Sequence, residues 1–126
     1  STEQVKKIRE RTSSDFLIYS GDDSLTVPFM KEGACGCVSV AAHIVGDELK
    51  EIIQQMSVGN QEKAEAISNR LAPLFDCLFK EPNPVPIKAA LNLLGFNVGE
   101  TRLPLLPISQ PILNELKLIL GNLNKL

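Results

Sequence analysis

An α/β fold that gives way to helices alone is what this 126-residue sequence predicts, on three observations. Near the start, two short apolar runs are each followed by a segment with helical patterning, which is the βα signature. After Val58-Gly59-Asn60 no strand-like run recurs, and apolar residues repeat at helical spacing to the end. Hydrophobic residues make up 44% of the chain, enough for an ordinary core at this length.

Val5 and Ile8 lie one turn apart among charges and predict a helix before Asp15. Phe16 to Tyr19 predicts the first strand, leading into a helix over Ser24 to Glu32. Gly36 to Ala41 predicts the second strand, leading into a helix over Asp47 to Met56. Three helical stripes follow: Ala64, Ile67, Leu71, Leu74 and Leu78; Ile87, Ala90, Leu91 and Leu94; and Ile112, Leu113, Leu116, Ile119, Leu120 and Leu123. Asn83 before Pro84 reads as a cap followed by proline at the first helical position, and Gly95 sits where a C-terminal cap belongs. The prolines of Arg102-Leu103-Pro104-Leu105-Leu106-Pro107 lack an N–H, so an extended connector laid across apolar surface is expected there. Ser109 and Pro111 then restart a helix.

Two parallel strands do not make a stable α/β domain alone, because parallel sheets are covered on both faces and their edges need neighbours. The sequence also opens without methionine in the middle of a pattern. The expectation is a portion of a larger barrel or sheet.

Composition excludes some functions. The formal net charge is −2, from 13 basic and 15 acidic residues, with one tyrosine and no tryptophan. That gives neither the basic field nor the stacking surface that nucleic acid requires. No run of about eighteen apolar residues is present to span a bilayer, and the polar start Ser1-Thr2-Glu3-Gln4 lacks the order of a secretory signal. No membrane partner and a soluble, cytoplasmic location are expected. Cys35, Cys37 and Cys77 have neither zinc-knuckle nor redox-pair spacing and read as buried thiols. His43, the only histidine, has no serine or cysteine in an obvious motif with it, and a structural hydrogen-bonding role is expected rather than a general base. No metal site and no cofactor are called for.

The residues that point to chemistry are Ser20-Gly21-Asp22-Asp23, directly after the first apolar run. A glycine there lets backbone approach a ligand closely. Two adjacent carboxylates need water, a cation, hydrogen-bond donors or helix-terminal amides to stabilise them. Each aspartate reads equally as an N-terminal helix cap, and on local grounds capping is the commoner role.

Four segments in this order carry a resemblance: Ser20-Gly21-Asp22-Asp23, Gly36-Cys37-Val38-Ser39-Val40-Ala41, Glu81-Pro82-Asn83-Pro84-Val85-Pro86-Ile87-Lys88, and Arg102 to Pro107. Over nearly its whole length the chain resembles the C-terminal part of the dihydrodipicolinate synthase family, within the pyruvate-dependent class I aldolases. The resemblance implies the last two strands of a TIM (β/α)8 barrel, the seventh and eighth, with their helices over residues 1–58, and a small three-helix C-terminal domain over 59–126. It implies a lyase that joins pyruvate to aspartate semialdehyde through a Schiff base in lysine and diaminopimelate biosynthesis, and a homotetramer when complete. The nucleophilic lysine, the proton relay and the arginine that holds the second substrate would lie upstream, in the N-terminal remainder of the barrel. No catalytic residue is therefore assigned here, and this chain alone is expected to be inactive. By the same resemblance Val38 packs against pyruvate, the backbone of Gly21 faces the second substrate, and Asp22 and Asp23 are the loop acids. Lys88 and Arg102 fit salt-bridge or helix-end contacts. A sister aldolase such as N-acetylneuraminate lyase is the alternative enzyme; its loop tends to carry aspartate followed by glutamate. A non-catalytic assembly fragment, its strand edges covered by a partner chain, is the third reading.

Overall fold

The computed structural model describes residues 1–126 as six helices and a two-stranded parallel sheet. In order they are α1 (Thr2–Arg11), β1 (Tyr19–Ser20), α2 (Thr26–Lys31), β2 (Gly36–Cys37), α3 (Ala42–Ser57), α4 (Gln61–Leu78), α5 (Val85–Leu93) and α6 (Gln110–Asn122). The chain forms two compact units, Ser1–Arg70 and Leu71–Leu126, which divide within α4. None of the helices is long and apolar enough to cross a membrane.

In the first unit α2 sits at the centre, packed against both strands, α1 and α3. Val5, Ile18 and Ala34 form a buried cluster with Phe29 and Met30 against it, so α1, the first strand and the end of α2 share one core. The turn after α2 depends on Gly33, whose φ of +95° is a left-handed conformation that side chains disfavour. It lets the N–H of Gly33 reach Met30 O (3.1 Å) and that of Ala34 reach Phe29 O (3.0 Å), satisfying carbonyls the helix leaves open. Arg9 closes this corner by donating from Nη2 to Gly33 O at 2.8 Å.

Both strands are shorter than the sequence predicts. The first was expected over Phe16 to Tyr19 but covers Tyr19–Ser20; the second was expected over Gly36 to Ala41 but covers Gly36–Cys37. Apolar composition does not show which residues meet a partner strand, and Phe16 and Leu17 are exposed instead. Tyr19 pairs with Gly36 and Ser20 with Cys37. The ladder is prolonged on either side by Cys35 N–H to Ile18 O (2.9 Å) and Val38 N–H to Ser20 O (2.7 Å).

The helix expected from Asp47 begins at Ala42, but Val45 (φ −122°, ψ 38°) breaks it between a short first turn and the long segment that the sequence pattern had suggested. Cys35 is exposed rather than buried, its thiol donating to Ile18 O; Cys37 is partly buried and Cys77 buried. Burial pushes the thiols of Cys37 and Cys77 above their ordinary range. His43 is exposed in the first turn of α3.

The second unit buries the stripes read from the sequence, with Leu71, Leu74, Leu78, Ile87, Ala90, Leu116, Ile119 and Leu120 inside. Helices α5 and α6 pack on one another. Pro84, not Asn83, is the N-cap residue of α5, and Pro86 occupies the first turn, where a missing N–H leaves no bond unmade. Gly95 (φ +88°) ends α5, passing the N–H of Phe96 back to Leu91 O at 2.9 Å. The 102–107 connector is not simply extended: Leu105 N–H turns back to Arg102 O (3.1 Å), and Leu103 (83% exposed) and Leu106 (69%) point outward. The Glu81 carboxylate, rather than the Ser109 hydroxyl, tends the start of α6, accepting the Ser109 N–H at 3.1 Å. Lys88 donates to Glu100 O at 2.7 Å.

Lys80 pairs with Glu115 at 2.6 Å across this unit, and the hydrogen bond to that carboxylate holds the ammonium above its ordinary pKa of 10.5. A raised folded-state value favours folding below pH 10.5 and loses that contribution as pH rises through the folded value. Comparing the urea midpoints of wild type and Lys80→Met from pH 7 upward checks this. A small constant gap is expected up to about pH 10, narrowing above it.

Candidate functional site

Parallel pairing brings the C-terminal ends of β1 and β2 to the same edge of the sheet, with Gly21 following Ser20 beside Val38, which follows Cys37. Such strand ends are where α/β folds and barrels place ligand chemistry. Four sequence-predicted residues meet here: Gly21, Asp22, Asp23 and Val38.

Ser20 is fully buried and shapes the loop, its hydroxyl donating to Asp22 O (2.7 Å) and accepting the Asp22 N–H (3.2 Å). Gly21 is exposed, and a Cβ built on it would meet nothing within 4 Å, so its backbone is uncovered. The two aspartates separate. Asp22 is exposed and acts locally, its Oδ1 accepting the N–H (2.9 Å) and hydroxyl (2.6 Å) of Ser24 in the turn before α2, so it caps no N–H of that helix. Asp23 is 2% exposed and acts at a distance, its Oδ2 accepting the Ala41 N–H at 3.0 Å and its Oδ1 the hydroxyl of Ser39. Val38 is 73% exposed, an apolar side chain presented beside the loop.

Ser39 was not singled out from the sequence. It links Asp23 to α3, since its oxygen also accepts the Ala42 N–H at 2.8 Å. The available signal was a hydroxyl in an otherwise apolar strand-like run, which has to find partners when partly buried.

Neither strand carries a lysine. Lys6 pairs with Glu32 (3.5 Å), Lys7 with Glu3 (2.7 Å), Lys31 with Glu65 and Lys63 with Glu51 (2.7 Å), all near water. An amine nucleophile needs a desolvated pocket, and none of these side chains lies in one. No group of three or more His, Cys, Asp or Glu side chains converges as a metal site would require.

The second unit contains a separate cavity of about 300 Å³, lined by Val85, Ala89, Leu93, Ile108 and Leu113 with Lys88 and Asn92 at its edge. Asn92 is spent on its own loop, accepting the Val98 N–H (3.0 Å) and donating to Gly99 O (3.1 Å). Glu100 also lines the cavity, and Lys88 is spent on the Glu100 backbone carbonyl at 2.7 Å, so the strand-end edge, where four predicted residues meet, is the better candidate for chemistry.

A model of the dihydrodipicolinate synthetase family matches residues 1–123. A 4-hydroxy-tetrahydrodipicolinate synthase of a Cyanothece species is 46% identical over 98% of this chain and 42% of its own length. The enzyme of that name from Thermosynechococcus vestitus is 47% identical over the whole chain and 43% of its own length. Among solved structures, the lysine-bound dihydrodipicolinate synthase of Cyanidioschyzon merolae superposes with a TM-score of 0.97 at 44% identity, covering all of this chain and 43% of that one. The Thermotoga maritima enzyme gives 0.95 at 34% identity, over 100% of this chain and 44% of that one. The chain thus spans 42% and 43% of the length of these two curated relatives.

Proposed function

Because the chain belongs to the dihydrodipicolinate synthetase family, we propose that it forms the C-terminal portion of a synthase that condenses pyruvate with aspartate semialdehyde, in lysine and diaminopimelate biosynthesis. On this reading β1 and β2 are the seventh and eighth strands of a TIM barrel, residues 1–58 belong to that barrel, and residues 59–126 form a three-helix C-terminal domain. The exposed Phe16, Leu17 and Val38 then meet the rest of the barrel and its ligands. The complete protein is a cytoplasmic homotetramer.

The observation that carries the proposal is the edge where β1 and β2 end together, with the loop of Gly21, Asp22 and Asp23 bonded to the turn of Ser39 and Ala41. Val38 offers an apolar surface to the pyruvate-derived enamine and keeps water from it, while the uncovered backbone of Gly21 faces the second substrate. The amine that forms the Schiff base comes from outside these residues.

The test is turnover by the complete protein with two substrate sets. Condensation of pyruvate with aspartate semialdehyde is expected, with cleavage of N-acetylneuraminate at least about 100-fold slower in kcat/KM, the scale of a well-discriminated pocket. Faster sugar-acid cleavage assigns the sister activity instead, and absence of both contradicts the enzymatic reading.

A further inference from the structure

Asp23 makes more bonds than a helix cap needs, and makes them in another place. Helix α2, which it precedes, has no side-chain cap bond at all. The Asp23 carboxylate instead takes the Ala41 N–H (3.0 Å) and the Ser39 hydroxyl, while Ser39 oxygen takes the Ala42 N–H (2.8 Å). One carboxylate and one hydroxyl therefore bridge the loop after β1 to the first turn of α3. On the other side the same two segments are joined by Val38 N–H to Ser20 O at 2.7 Å. Gly21 and Val38 lie between these two anchors, so their relative position is set from both sides.

We propose that Asp23 and Ser39 are positioning residues of the condensation, holding the Gly21 backbone and the Val38 side chain at the separation in which the second substrate meets bound pyruvate. This rests on the synthase reading. Neither residue exchanges a proton or touches a reacting atom; they act through Gly21 and Val38. Both residues are needed because the chain of bonds is directional. The carboxylate has only acceptors to offer, and the serine both donates to it and accepts from Ala42. A displacement of about 1 Å in such a geometry lowers turnover by about 10²-fold.

The experiment uses the complete synthase with Ser39→Ala, Ser39→Thr and Asp23→Asn, counting active sites by borohydride trapping of pyruvate and dividing condensation turnover by that count. Counting only trappable sites removes any unfolded fraction, so a purely structural role leaves kcat per site unchanged. Ser39→Ala is expected to trap pyruvate normally per folded chain and to lose at least about tenfold in kcat per site. Ser39→Thr, which keeps the hydroxyl at a partly buried position, is expected to recover most of it. Wild-type kcat per site in Ser39→Ala overturns the proposal. If that variant fails to fold, unchanged kcat per site in Asp23→Asn, which keeps an acceptor for Ala41, overturns it equally. A wild type that traps no pyruvate contradicts the synthase reading itself, a result distinct from either.

Discussion

Asp23→Ala is expected to destabilise the protein by about 2–4 kcal/mol, seen as a fall in urea midpoint of about 1–2 M at an unchanged slope. The side chain is 2% exposed, and its removal leaves the buried Ala41 N–H and the Ser39 hydroxyl without their acceptor. Hydrogen bonds to a carboxylate contribute about 1.5–3 kcal/mol each, and two that share one group do not sum fully. Asp22→Ala, by contrast, removes an exposed carboxylate whose partners are both on Ser24, within reach of water. It is expected to lose about 1 kcal/mol or less, the range of an ordinary solvent-exposed hydrogen bond. Equal effects at the two positions contradict the division of roles assigned to this acidic pair.

The second large effect is in the helical unit. Leu116 on α6 is fully buried, and Leu116→Ala is expected to lose about 2–5 kcal/mol through lost transfer free energy and the cavity left behind. Leu118, two residues on, is 67% exposed, and Leu118→Ala is expected to stay within about 0.5 kcal/mol. Thermal or urea unfolding of the two variants side by side checks the orientation of α6. Similar losses contradict it.

The helices were legible because their stripes are long. Leu71, Leu74 and Leu78 recur over two turns and are all fully buried, as are Leu116 and Leu120. The strands were legible in place and order but not in length. Phe16 and Leu17 have strand composition, yet a ladder needs a partner, and partners are not written in local sequence. The same limit explains the exposed Cys35, which side-chain type alone places in the interior. The kink at Val45 left no mark beyond Gly46 after it.

Of the candidate site, the position of the loop was readable from glycine and carboxylates after an apolar run. The different fates of Asp22 and Asp23 were not. Neither caps α2: Asp22 bonds to its near neighbour Ser24 in the turn before the helix, whereas Asp23 bonds to Ser39 and Ala41 across the fold. Only the pairing of Ser20 with Cys37 brings those partners within reach. The role of Ser39 was hidden for the same reason, since it arises from what stands opposite it.

The most direct measurement is reduction of the complete protein with borohydride in the presence of pyruvate, followed by peptide mapping of the adduct. Reduction makes the Schiff base permanent on the lysine that formed it. The account predicts a single pyruvate adduct on a lysine outside these 126 residues, and none on the ion-paired Lys6, Lys7, Lys31, Lys63 or Lys80. An adduct on any lysine within them, or no adduct anywhere, contradicts it.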